Sequence, residues 1–202
     1  KRLIALGFVD PKGALNHINA LTTGVSRRAV IQRTLLPVLI RWMAEGTDPD
    51  RALLSFRRLS EELGETPWFL RMLRDSSGAA ERLMRVLSSS GMVARVLERI
   101  PDSTSWFGDD GELIPRDVVA IETEMAAIVS RQPEPEAAAD LIRNIRRRET
   151  LRVAIGAVLG VSTMSQISKG LSAIMDSYLR VMLEIAKEGS ELDFGIIAMG
   201  RL

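Results

Sequence analysis

Residues 47–73, TDPDRALLSFRRLSEELGETPWFLRML, hold two helix openings and the stop that separates them. Asp48 precedes Pro49, so a side-chain oxygen is available for the free backbone N–H groups of a first turn, and proline stands where its missing N–H costs nothing. Leu53, Leu54, Phe56, Leu59 and Leu63 then recur at three- and four-residue spacing, which lines one face of a helix and fits no strand. Gly64 stops that run. Thr66-Pro67 opens the next, through Trp68, Phe69, Met72 and Leu73. Helices this short, joined by a few residues, pack as antiparallel neighbours. The fold class that follows is all-α, a multi-helix array.

The same punctuation extends in both directions. Upstream, Asp10-Pro11 opens a helix with Ala14, Leu15, Ile18 and Leu21 on one face, and Ser26 caps a longer one that carries Pro37 inside and stops at Gly46. A proline there predicts a kink. Downstream, Ser77 opens a helix around Leu83, Val86 and Leu87, and Ser90 opens another that Pro101 ends. The pattern loosens over 102–115 and resumes as a helix over 118–129. Gln132-Pro133-Glu134-Pro135 breaks it before a long helix over 137–159, and Ser162 or Thr163 starts a last long helix that Gly189 ends. The apolar run 194–200, FGIIAMG, is rich in β-branched residues and reads as a short buried strand. The expected division is a helical connector over 1–101, a boundary loop over 102–115, a long-helix bundle over 116–190, and a strand over 191–202 that belongs to a truncated further domain.

Composition removes several functions. Lys plus Arg number 27 against 26 Asp plus Glu, a net charge of +1, so no overall field draws nucleic acid or an anionic membrane. With no cysteine there is no disulfide, thiolate zinc site or cysteine nucleophile, and the one histidine, His17, leaves no multi-histidine metal site. No apolar run approaches the ~20 residues that span a bilayer and no signal peptide is evident, so a cytoplasmic location is expected. The start at Lys1 without methionine, and the end just after an apolar run, suggest a piece of something longer.

Few side chains stand out as chemistry. Asp48 and Asp50 have the spacing of paired metal carboxylates but occupy a helix start, where acids suit the dipole. Asp109-Asp110 reads as a solvated turn, and His17 as a surface or satisfied histidine. Arg143, Arg146, Arg147, Arg148 and Arg152 form a helical cluster that fits either a phosphate or acidic partner, or a solvated face with internal pairs near Glu149. Arg27, Arg28 and Arg33 are a second basic group. Gly156 and Gly160 form a small-xxx-small pair suited to close helix packing. No self-contained phosphate-binding loop occurs, and no metal site is expected.

Five stretches resemble one family. FGIIAMGRL (194–202) resembles the opening strand and turn of the nucleotidyltransferase domains of the bifunctional glutamine synthetase adenylyltransferase/adenylyl-removing enzymes. Those domains continue G-[KR]-L-G-G-x-E-L and then S-D-x-D. Only Gly200, Arg201 and Leu202 of that motif are present, so no catalytic residue carries over. RRRETLRVAI (146–155) resembles the family's R-R-R-E-x-L-R-I helix. ALNHINALT (14–22), SRRAVIQRTLLP (26–37) and TPWFL (66–70) are similar to the segment joining the two catalytic halves.

The resemblance implies a parent whose one domain removes AMP from glutamine synthetase and whose other attaches it from ATP with Mg2+, under control of glutamine and a PII-type signalling protein. This chain would be the central connector, inactive alone and without a cofactor of its own. Its partners would be glutamine synthetase, the PII-type protein and the flanking nucleotidyltransferase domains. The alternatives are a passive scaffold and a free-standing helical adaptor. Arg143, Arg146, Arg147, Arg148 and Arg152, with Arg27, Arg28 and Arg33, are the candidate partner-binding residues.

Overall fold

The computed structural model describes residues 1–187. The strand expected within 191–202 and the stop at Gly189 lie outside the described residues. Among the described residues every regular element is helical, and the chain separates into two compact units, one of Lys1–Leu113 and one beginning at Ile114.

The first unit contains α1 (Arg2–Ala5), α2 (Pro11–Thr22), α3 (Arg27–Ala44), α4 (Pro49–Leu63), α5 (Pro67–Asp75), α6 (Ser77–Ser89) and α7 (Gly91–Arg99). Four expected caps form: Asp10 accepts from the Gly13 amide at 3.0 Å, Ser26 from Ala29 at 3.2 Å, Asp48 from Arg51 at 2.9 Å and Ser90 from Val93 at 3.3 Å. Two openings differ in detail. Ser76, not Ser77, caps α6, accepting from the Ala79 amide at 3.3 Å. The Thr66 hydroxyl donates back to the Leu63 carbonyl at 2.6 Å, so Pro67 starts α5 without a side-chain cap. Pro37 lies inside α3, which runs through it without interruption.

Helix α6 is the hub of this unit, packed by α3, α4, α5 and α7. Its Ala79, Ala80, Leu83, Met84, Val86 and Leu87 are buried, as are Phe56 of α4 and Phe69 of α5. The corner between α3 and α4 clamps the end of α6. Both the Thr47 hydroxyl and the Asp48 amide donate to the Ser88 carbonyl at 3.0 Å, satisfying a group that a helix end leaves free. A Cβ on Gly46 would overlap the Ser88 side chain, so glycine is required there for close approach. The stretch after α7 is two 3₁₀ helices, Pro101–Gly108 and Asp110–Leu113, with Phe107 and Leu113 fully buried. Arg82 of α6 pins it, donating to the Phe107 carbonyl at 3.1 Å and pairing with Asp110 at 2.9 Å.

The second unit contains α8 (Val118–Val129), α9 (Pro135–Leu159) and α10 (Met164–Lys187). Asp117 caps α8 through the Ala120 amide at 2.7 Å. Thr163 and Gln166 form a reciprocal capping box that opens α10, with 2.8 Å from the Thr163 amide and 3.3 Å from the Gln166 amide. The expected packing role of Gly160 is not what the structure shows. Gly160 is exposed at φ 70° and ends α9 in a Schellman motif, with the Val161 amide bonded to the Gly156 carbonyl at 2.9 Å and the Gly160 amide to Ala157 at 3.2 Å. The close approach falls instead at Gly170, where a Cβ would stand 2.7 Å from Pro115. Ile121, Met125, Ile142, Ile145, Val153, Ile174 and Val181 form the core between the three helices. No helix among the described residues is long and apolar enough to cross a membrane.

Candidate functional site

The arginines of α9 divide by the turn of the helix. Arg148 points toward α8, where its Nη1 and Nη2 donate to the two oxygens of Glu124 at 2.9 and 2.7 Å, and it reaches Glu149 Oε1 from Nε at 2.9 Å and from Nη2 at 2.7 Å. Arg116, from the segment before α8, closes the same pair at 2.6 Å to Glu124 and 3.2 Å to Glu149, and also donates to the Ala120 carbonyl at 3.2 Å. Arg152 donates from Nε to Glu149 Oε2 at 2.9 Å. Glu149 is 1% exposed, a position where a carboxylate is tolerable only when its oxygens are fully engaged, and three guanidiniums engage them. The hydrogen bonds of Arg148, helped by Arg116, hold the Glu124 carboxyl down at about 2. The bonds to Glu124 and then Glu149 push Arg148 above the ordinary guanidinium value. Arg148, through Glu124, and Arg116, through Glu149, therefore join α8 and the segment before it to α9, while Arg152 braces Glu149 within α9.

Arg146, Arg143 and Arg147 face elsewhere. The Arg146 guanidinium lies over the Tyr178 ring of α10, 4.7 Å from its centroid, and its buried Nε has no hydrogen-bond partner. Arg143 pairs with Asp140 one turn back, and that contact, with a smaller contribution from the Tyr178 hydroxyl, raises its pKa. Arg147 is exposed and donates to Asn144 at 3.3 Å.

The second basic group belongs to the other unit. Arg28 donates to the Ser60 carbonyl at 3.1 Å, and Arg33 gathers the Thr22 and Gly24 carbonyls at 2.6 and 3.0 Å, closing the C-terminal end of α2. Arg27 is exposed, and adds a minor share to the lowered pKa of Asp75, whose main cause is the hydrogen bond from Arg74. Gly200, Arg201 and Leu202 lie outside the described residues.

The minor candidates resolve into structural contacts. Asp50 accepts from the Val9 and Asp10 amides at 2.7 and 3.2 Å, tying the start of α2 to α4 across 40 residues of chain. Asp109 accepts from the Gly111 amide at 2.8 Å within its own turn. Arg57 Nη1 stands 3.1 Å from His17 Nδ1; guanidinium only donates, so that nitrogen accepts and the ring proton is on Nε2. Among the described residues no group of three His, Cys, Asp or Glu is placed to hold a metal ion. Sequence reasoning missed Arg116, Glu124 and Tyr178. The only local signal was Arg116 and Glu124 eight residues apart around a helix start, since their other partners, Glu149 and Arg148, lie 33 and 24 residues away.

The class defined so far is an all-α module whose long central helix is locked by buried ion pairs. A family model described as glutamate-ammonia ligase adenylyltransferase matches residues 80–202. The chain is 53% identical, over 99% of its length, to the bifunctional glutamine synthetase adenylyltransferase/adenylyl-removing enzyme of Leifsonia xyli subsp. xyli. The enzymes of the same name are 48% identical over 79% of the chain in Streptomyces coelicolor and 39% identical over 99% of it in Cutibacterium acnes. The chain belongs to the glutamate-ammonia ligase adenylyltransferase family. It covers 16–20% of the length of these relatives, about a fifth. No solved structure matches it.

Proposed function

We propose that this chain is the central helical part of an enzyme that attaches AMP to glutamine synthetase and removes it again, joining two nucleotidyltransferase domains. The observation that carries the reading is 53% identity through 99% of the chain to a bifunctional relative of which it makes up only 20%. In this reading residues 1–101 are the connector, 102–115 the boundary, 116–190 the bundle leading to the attaching domain, and 191–202 that domain's first strand. Gly200, Arg201 and Leu202 open its nucleotide-binding turn. ATP and Mg2+ belong to that domain, glutamine synthetase is the substrate, a PII-type protein is the signalling partner, and the enzyme works in the cytoplasm.

The helical part couples the two activities mechanically. A switch needs an element with two arrangements that effectors bias, and each unit here is suited to move as a body. The Arg116 and Arg148 pairs with Glu124 and Glu149 tie α8 to α9, and Phe107 and Leu113 anchor the 3₁₀ stretch within its own unit.

The test is a short Gly-Ser insertion between Leu113 and Ile114 of the full-length enzyme, which leaves both cores intact. Transfer of AMP to glutamine synthetase and its removal should persist, while control by glutamine and the PII-type protein is lost. Unchanged control leaves only the scaffold reading. Failure of the uninterrupted enzyme to transfer AMP to glutamine synthetase removes the reading altogether.

A further inference from the structure

Helix α10 carries two apolar stripes. Gly170, Ile174, Ser177 and Val181 are buried against the unit's own core. One position further round, Leu171, Met175, Tyr178 and Met182 repeat the same spacing of four, three and four residues; Tyr178 and Met182 are half-buried against the unit's own core, and the Leu171–Met175 end of the stripe is open for a helix to pack on. Leu171 is 41% and Met175 40% exposed. Helix α8 is not on that flank. Arg180, two residues past Tyr178 and so on the opposite side of α10, is the residue that points to α8, 3.9 Å from Glu122.

The arginine on this open flank is the one of the α9 cluster that makes no hydrogen bond or ion pair among the described residues. Arg146 rests on Tyr178 with its Nε buried and unpartnered, although a guanidinium offers a planar fork matched to a carboxylate. A buried donor left unmade is costly, and an aromatic face answers only the charge. The surface where α9 meets α10 thus offers exposed Leu171 and Met175 beside a guanidinium whose charge rests on Tyr178 but whose Nε donor is unmet. Its complement is an amphipathic helix with an acidic residue beside its apolar face. About four-fifths of the length of the relatives lies outside these residues, so the parent polypeptide has chain in abundance to supply it.

We infer that the surface formed by Leu171, Met175 and the Arg146–Tyr178 stack is the docking site for an acidic amphipathic helix of the same polypeptide, outside these 202 residues. The inference rests on the reading of the chain as a part of the larger enzyme. It adds which face of the second unit holds the rest of that enzyme.

The experiment places the photo-crosslinking amino acid p-benzoylphenylalanine at Met175 of the full-length enzyme and maps the product by mass spectrometry. The expected product is an intrachain link to a helix bearing Asp or Glu next to its apolar face. Arg146→Gln should lower its yield about tenfold or more. Arg146→Glu combined with an Arg at the linked acid should restore it. Leu171→Asp, at an exposed position where folding is not at stake, should lower the yield independently. A link to a second copy, to glutamine synthetase or to a PII-type protein overturns the inference, as does the absence of any link. Transfer of AMP to glutamine synthetase is assayed on the same sample, so loss of the link with transfer intact removes only the docking site, and the link without transfer removes only the enzymatic reading.

Discussion

Helices α6 and α9 are the centres of their units, and they are buried by different means. Around α6 the contacts are alanine, leucine, methionine and valine, whose burial is non-directional and tolerates repacking. Helix α9 buries Ile142, Ile145 and Val153 in the same way but also Glu149 and Arg152, with Arg148 reaching across to α8. An ion-pair network demands particular atoms at particular distances. It therefore sets the register of α9 against α8 as an apolar seam does not, at the cost of failing sharply when one member is removed.

Glu149→Ala is the largest break. It leaves three guanidiniums facing an emptied acceptor position, and a loss of about 3–5 kcal/mol from the second unit is expected. Amide hydrogen exchange resolved by segment should show α8, α9 and α10 opening together while α6 keeps its protection. Equal loss in both units would mean that the network does not belong to the second unit alone. The counterpart for α6 is Gly46→Ala, whose methyl would meet the Ser88 side chain at a corner held by two hydrogen bonds to the Ser88 carbonyl. Overpacking of that kind costs about 1–3 kcal/mol, and should appear as lower denaturant stability with the second unit unaffected.

The helical fold was legible because its signals are local: Asp10, Ser26, Asp48 and Ser90 each cap within three residues. What long-range contact decides was not. Arg148 and Glu124 are 24 residues apart, and nothing near either names the other. The arginine cluster was found as a cluster, but its division into locking and outward members depends on where α8 and α10 lie. Glycines mark the limit most clearly. Gly156 and Gly160 have the spacing of a packing pair, yet Gly160 is a left-handed cap, and the tight contact is at Gly170 against Pro115, 55 residues away in sequence. Gly160→Ala tests this. With open space around the Cβ but φ at 70°, backbone strain alone should cost about 1–2 kcal/mol, read as fraying of the C-terminal turn of α9. A neutral result would mean that the Schellman end is not required.

Acid separates the two units most gently. The Glu124 carboxyl is held at about 2 in the folded state, below its ordinary 4.5, chiefly by the hydrogen bonds of Arg148. A depressed carboxylate contributes stability that is complete above its unfolded pKa and disappears as pH falls toward the folded one. The second unit should therefore weaken between about pH 4.5 and 2. Glu124 is about a third exposed, so solvent screening limits the effect to on the order of 1 kcal/mol. Glu124→Gln should flatten the pH dependence of α8 and α9 protection in this window, whereas α6, whose buried contacts are apolar, provides the internal reference. If the variant keeps the wild-type slope, another carboxylate governs the acid response, and Glu124 acts only as the geometric bridge between Arg116 and Arg148.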